Sequence, residues 1–268
     1  AFNNTAIGVS ALSLNTSGAE NTAVGYAAMI DNTTGYRNTA YGAYALGDNL
    51  TGNWNVAVGR QALKYNTTGN NNVALGYTAL QINTTGYDNI AIGAHALNSS
   101  SVSVANTAVG TNAMTATTTG HSNTAFGKSA LSNNTTGIEN HASGYATLDT
   151  STTASYNTAV GARALQLTTT GAANTAVGHA SLKLNTTGNN SIAVGYAALD
   201  ANTTGERNVA LGAEALGSNT TASANTAVGY KALYTNTTGT SNVAVGQDAL
   251  RYNTTANNNT AVGLSALK

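Results

Sequence analysis

Glycine recurs every seventeen residues from Gly8 to Gly263, sixteen times, with no insertion or deletion between them. No other property of the chain restricts its fold as strongly. Loops of ordinary domains, and solenoid loops that project freely, tolerate insertions. A repeat of constant length therefore points to a chain in which every residue stacks on its equivalent in the next repeat. The consensus reads Asn-Thr-Ala-Val-Gly-x-x-Ala-Leu-x-x-Asn-Thr-Thr-Gly-x-x, with positions numbered 1 to 17. Position 1 is Asn in fifteen repeats, Ser191 being the exception, and positions 3 and 5 are Ala and Gly in all sixteen. Position 8 is Ala except at Thr147 and Ser181, and position 9 is Leu except at Met29 and Met114.

The period excludes the common helical arrays, since ankyrin and tetratricopeptide units need about 33 to 34 residues and propeller blades about 40. It is too short for a helix pair, and the glycine at position 5 would break a helix. It fits one coil of an all-β parallel β-solenoid (a β-roll or β-helix). Residues 1–268 are then a single uninterrupted domain of sixteen 17-residue coils. At a rise of about 4.8 Å per coil, the expected rod is about 75 Å long. Positions 1 to 5 read as the strand: position 2 is β-branched in fifteen repeats and position 4 apolar in all but one. Positions 8 and 9 read as a second, shorter strand. Positions 12 to 15 read as a turn, with Asn or Gly taking positive φ. Gly18, Gly35 and Gly52 occupy position 15, whereas Ser103, Ala154, Ala222 and Ala256 depart from it. Stacked Asn at position 1 is expected to form a side-chain ladder.

Ten basic and ten acidic residues balance to zero net charge, which argues against nucleic acid as a partner. No apolar run is long enough for a membrane helix. With no cysteine there is no disulfide, thiolate zinc site or cysteine nucleophile. Hydrophobic residues at 41% in a regular pattern oppose disorder. All twenty charges fall at positions 6, 7, 10, 11, 16 and 17, which marks three solvated windows per coil. Eleven positions never carry charge, more than one thin coil encloses. Positions 2 and 4 face one side of the strand and 1, 3 and 5 the other, and neither set looks solvated. One Val-like and one Leu-like side chain per coil is little burial against the ordering of the backbone. Lateral association with copies of the chain, as a homotrimer, is the expectation that follows.

At Asn21–Met29, Asn174–Leu182 and Asn225–Leu233 the sequence resembles the head repeats of trimeric autotransporter adhesins. It resembles more closely the Asn-Thr-Ala-Val-Gly arrays of bacterial and phage tail fibre domain proteins, and this resemblance covers the whole chain. It implies a left-handed β-roll within a trimer, and a surface-exposed, non-catalytic extracellular fibre that presents an adhesive surface to a cell-surface glycan or protein receptor.

A repeat supplies the same groups at every level, whereas an active site needs unlike groups converging in a pocket, so no enzymatic role and no cofactor are expected. His95, His121, His141 and His179 fall at four different positions and suggest no metal site. His141 and Ser143 share one coil and read as a local weakening or a functional defect. Tyr26, Tyr77, Tyr145, Tyr196 and Tyr230 all stand at position 6 and are candidates for stacking on sugars or a partner. Positions 12 to 14 spell an N-glycosylation acceptor at Asn15, Asn32, Asn49, Asn66, Asn83, Asn134, Asn185, Asn202, Asn219, Asn236 and Asn253; the same residues read as a turn with a Thr ladder. Thr rows at positions 13 and 14 raise an ice-binding alternative. The chain starts at position 15 and stops at position 10 with no capping repeat, so an excised fibre segment or end-to-end stacking into a filament is expected.

Overall fold

The computed structural model describes residues 2–268. It contains two compact units, one running to Thr136 and one spanning Gly137–Lys268. Each is a parallel β-solenoid. The first holds eight three-residue strands, from β1 (Thr5–Ile7) to β8 (Thr124–Phe126). The second holds eight more, from β9 (His141–Ser143) to β16 (Thr260–Val262). Within each unit a strand pairs in parallel with its sequence neighbours and in register at the same position. Thr22, Ala23 and Val24 lie beside Thr39, Ala40 and Tyr41, for example. The constant period has this consequence: one residue more or less in a coil would shift every side chain to the wrong face.

The strand is shorter than the sequence suggests, covering positions 2 to 4, and positions 8 and 9 form no strand. The reason is backbone handedness. Positions 7, 9 and 17 all adopt positive φ, between 49° and 62°, in every coil. The chain turns sharply on either side of position 8 and cannot run extended there. Turns at positions 12 to 15 do not use positive φ at Asn or Gly either; that conformation belongs to positions 5, 7, 9 and 17. Of the non-glycine residues held there, Thr78 alone is β-branched, which matches the steric cost that branching adds in the left-handed region.

Position 5 is glycine for two reasons at once. Its φ lies between 126° and 141°, a region closed to other residues, and the next coil leaves no room. A Cβ on Gly195 would lie 2.7 Å from the carbonyl carbon and oxygen of Gly212.

Side-chain direction alternates along the strand as expected, but the inner face is smaller than anticipated. Position 3 alanines such as Ala193 and Ala210 are fully buried, as are Ala198 and Leu199 at positions 8 and 9. Position 4 points outward, so the Val-like residue expected in the core is half-buried or exposed instead. The core is therefore one Leu and two Ala per coil, supplemented by amides.

Those amides form two ladders. At position 1, Asn38 N donates to Asn21 Oδ1 (2.9 Å), and Asn38 Nδ2 donates to the Gly52 carbonyl (2.8 Å). This is the expected ladder. A second one runs at position 12, where Asn49 Nδ2 donates to Asn32 Oδ1 (2.7 Å) and to the Gly52 carbonyl (3.0 Å). One buried carbonyl, at position 15, thus receives an amide from each ladder. Buried polar groups satisfied in this way cost little and hold the register.

The position-12 ladder breaks where Ser or Thr replaces Asn. Asn83 Oδ1 is buried without a hydrogen bond below Ser100, whose hydroxyl turns to Ser103 instead. Thr168 Oγ1 is likewise buried and unsatisfied, and Asn185 Nδ2 above it keeps only the Gly188 carbonyl (3.0 Å). Thr168→Asn restores the missing rung. It is expected to stabilise the protein by about 1–2 kcal/mol, read as a rise of about 2–8 °C in thermal midpoint. Leu199→Ile, which keeps volume but puts a branched Cβ at a φ of 55°, is expected to cost about 2–3 kcal/mol. Leu199→Met, the residue found naturally at Met29 and Met114, should cost less than about 1.5 kcal/mol. Chemical denaturation of the two variants checks the contrast.

Candidate functional surface

With positions 1, 3, 8, 9 and 12 turned inward, the outside of each coil consists of an outward strand face, the charged windows and the position-14 residue, exposed at Thr34, Thr51, Thr68 and Thr85. The strand face carries positions 2 and 4. Along the first unit position 4 presents Ile7, Tyr41, Leu75 and Phe126 as exposed apolar side chains; along the second it presents Val160, Val177, Val194, Leu211, Val245 and Val262. Because parallel pairing superposes the same position in successive coils, these residues form a continuous row within each unit. His141 lies on the outward side of β9 at position 2, beside Thr158 of the next strand, and Ser143 interrupts the apolar row there.

The five position-6 tyrosines, Tyr26, Tyr77, Tyr145, Tyr196 and Tyr230, are all exposed, between 44% and 59%. Coil stacking brings them against neighbours rather than against one another. Tyr26 meets Tyr44 edge-on with centroids 5.3 Å apart, Tyr77 meets His95 edge-on at 5.2 Å, and Tyr196 stacks face to face on His179 at 5.6 Å and 10°. Cations lie over several rings, including Lys231 over both Tyr230 (5.1 Å) and Tyr234 (5.3 Å). These contacts brace the aromatic side chains while leaving ring surface open to solvent.

Charges mostly alternate in sign where they stack, Asp31 over Asp48 at position 11 and Arg251 over Lys268 at position 10 being like-charged exceptions. At position 17, Arg37 Nε donates to Glu20 Oε2 (2.8 Å), and the hydrogen bond and the guanidinium charge hold Glu20 below the usual carboxylate range. At position 7 the order is Glu214, Lys231, Asp248, with Lys231 Nζ 3.3 Å from Glu214. The hydrogen bonds to Tyr230 and Glu214 push the Lys231 ammonium above its ordinary value. Among the described residues no three metal-ligating side chains cluster.

The glycosylation acceptors lie in the second ladder. Nine of the eleven, Asn32, Asn49, Asn66, Asn83, Asn134, Asn185, Asn202, Asn219 and Asn236, are fully buried, while Asn15 and Asn253 are half-buried. The nitrogen that would carry a sugar lies within the coil; Asn202 Nδ2 donates to Asn185 Oδ1 (2.9 Å) and to the Gly205 carbonyl (3.0 Å). At position 13 the Thr hydroxyl also turns to the backbone: Thr33 Oγ1 donates to the Leu50 carbonyl (2.7 Å) and Thr186 Oγ1 to that of Thr203 (2.9 Å).

Sequence reasoning did not find the second ladder or the left-handed positions. Both left a trace: position 12 never carries charge, and positions 7, 9 and 17 all but exclude β-branched side chains. No family model matches the chain, and no curated protein matches it.

Asp200 is the carboxylate least at ease on this surface. Burial pushes its pKa above the ordinary value, opposed by the charges of Lys183 and His179, and its Oδ1 is shielded without a hydrogen bond. A carboxylate raised in the folded state weakens folding once it ionises, and the penalty is absent where both states are protonated. Asp200→Asn should therefore raise the thermal midpoint at pH 7. The gain should shrink as pH falls through the raised native value and vanish below the unfolded carboxylate range, a comparison that paired melting curves at pH 7 and pH 3 provide.

Proposed function

We propose that the chain is a segment of a non-enzymatic structural fibre on the outside of a cell or virion. Copies of the chain associate side by side, as a homotrimer, through the outward strand face. The tyrosine-bearing windows form an adhesive surface for a glycan or protein receptor. The observation that carries this reading is the apolar row at position 4, which runs through all eight strands of the first unit and from Val160 to Val262 in the second. Exposed apolar patches larger than a few hundred Å² mark interaction surfaces, and parallel sheets are rarely left bare on one face. A core of one Leu and two Ala per coil gives a second reason for burial against another chain. Repetition supports a role in extended contact, because each coil offers the same groups as its neighbours and no unlike set converges. The resemblance to tail fibre and adhesin head repeats points the same way.

The glycosylated-filament and ice-binding readings draw less support. The position-12 amides are mostly enclosed in the ladder, and the position-13 hydroxyls donate to the next coil's carbonyls, which leaves a single exposed Thr row at position 14 instead of a two-row lattice.

Sedimentation equilibrium tests lateral association directly. The wild-type chain is expected to sediment as a trimer at micromolar concentration. Val177→Glu with Leu211→Glu, two outward residues 36% and 37% exposed, should sediment as a monomer that keeps its β-sheet circular dichroism. A monomeric wild type would overturn the reading, and species of unbounded size would replace it with a self-polymerising filament.

A further inference from the structure

The outer surface of the second unit has one gap in its side-chain rows. Ala213 at position 6 and Gly217 at position 10 belong to the same coil. The coil before carries Tyr196 and Asp200 at those positions, and the coil after carries Tyr230 and Tyr234. One coil thus carries only a methyl group and a hydrogen at these two positions, between two coils with larger side chains there. The result is a hollow of about 220 Å³ lined by Tyr196, Ala197, Asp200, Glu214, Gly217 and Tyr234. Gly217 is one of only two glycines outside positions 5 and 15. Its own φ needs no glycine; the missing side chain leaves space that the Tyr234 ring partly enters. The Tyr234 ring leans over it, and a Cβ on Gly217 would lie 3.0 Å from Tyr234 Cε2.

The lining has a defined chemistry. Tyr196 is stacked on His179 by one face, which fixes the ring and leaves its other face toward the coil that bears Ala213. Asp200 lines the hollow; its Oδ1 is shielded and has no donor, so the oxygen this carboxylate offers a ligand is Oδ2. Glu214 is held in place by Lys231 Nζ at 3.3 Å, which neutralises it and leaves its remaining lone pairs as oriented acceptors. Two coil rises, about 9.6 Å, separate the flanking aromatic levels, enough for one puckered ring between them. An aromatic face, a second aromatic edge and two carboxylate acceptors suit a neutral polyhydroxylated ring: its C–H face packs on tyrosine and its hydroxyls donate to the carboxylates.

We propose that this hollow is a binding site for a single neutral pyranose unit, with Tyr196 as the stacking platform, Asp200 and Glu214 as hydroxyl acceptors, and Gly217 as the residue that opens it. The site deepens the adhesive reading of the tyrosine windows and does not depend on lateral association. Saturation-transfer difference NMR on the full chain tests it, with the methyl α-pyranosides of glucose, galactose and mannose as probes. At least one should show saturable transfer with a dissociation constant of about 1 mM, as expected for so small a ligand. Gly217→Gln uses a residue natural to position 10 at Gln81 and Gln166, and the half-buried Tyr234 ring has to give way by a few tenths of an ångström to admit its Cβ. This variant and Tyr196→Ala should each weaken binding at least about tenfold, with circular dichroism unchanged. Absence of transfer from all three glycosides in the wild type overturns the proposal. So does tetramethylammonium displacing the glycoside at lower concentration, which would make the hollow a cation site. Transfer that Gly217→Gln leaves intact also overturns it, while keeping the tyrosine windows as a glycan surface; the adhesive reading and the hollow therefore fail separately.

Discussion

The structure depends on the close axial approach of one coil to the next. At position 5 the backbones come so near that a single methyl group would strike the following glycine's carbonyl, and φ there lies where only glycine is comfortable. That contact fixes the height of a coil, and the height fixes the rest. Backbone donors reach equivalent acceptors in the neighbouring coil, as when Thr22 N donates to the Asn38 carbonyl and Gly25 N to that of Ile7. Proline is absent because it would delete one of these donors at whatever level it occupied. Length cannot vary for the same reason.

A coil this narrow has little room for hydrocarbon. Its interior holds Leu and Ala, and the remaining space is filled by asparagine amides that bond to one another and to the position-15 carbonyl. The arrangement trades a large apolar core for directional bonding, and its register is correspondingly strict. It is also intolerant of approximate substitutes. Ser and Thr are small and polar, yet at positions 100 and 168 they cannot span to the next rung, and polar atoms are left buried without partners. The left-handed residues add strain in every coil, held in place because stacked neighbours share the same conformation.

What the interior does not use is displayed outside. The apolar half of the strand, the aromatic rings and the charges all face away from the ladders, in rows set by the coil spacing. Such a surface is suited to long, periodic contacts, with another copy or with a polymeric ligand. Local chemistry arises only where the repetition lapses, and the coil of Ala213 and Gly217 is a lapse on the aromatic side.

The sequence by itself determined the solenoid, the parallel in-register pairing, the position-1 ladder and the solvated windows, because each follows from a fixed period and from where charge is tolerated. Only the tertiary structure decided which way the turns bend, which asparagines lie inside, and that the position-4 row points outward. Asn32 and its equivalents read as turn residues or glycan acceptors, and not as ladder rungs, until the path of the chain around positions 7, 9 and 17 is known. Those left-handed bends are set by how a coil closes on itself. The hollow at Gly217 was illegible for a related reason: it is made by residues of three successive coils, and an empty space has no residue of its own in a sequence.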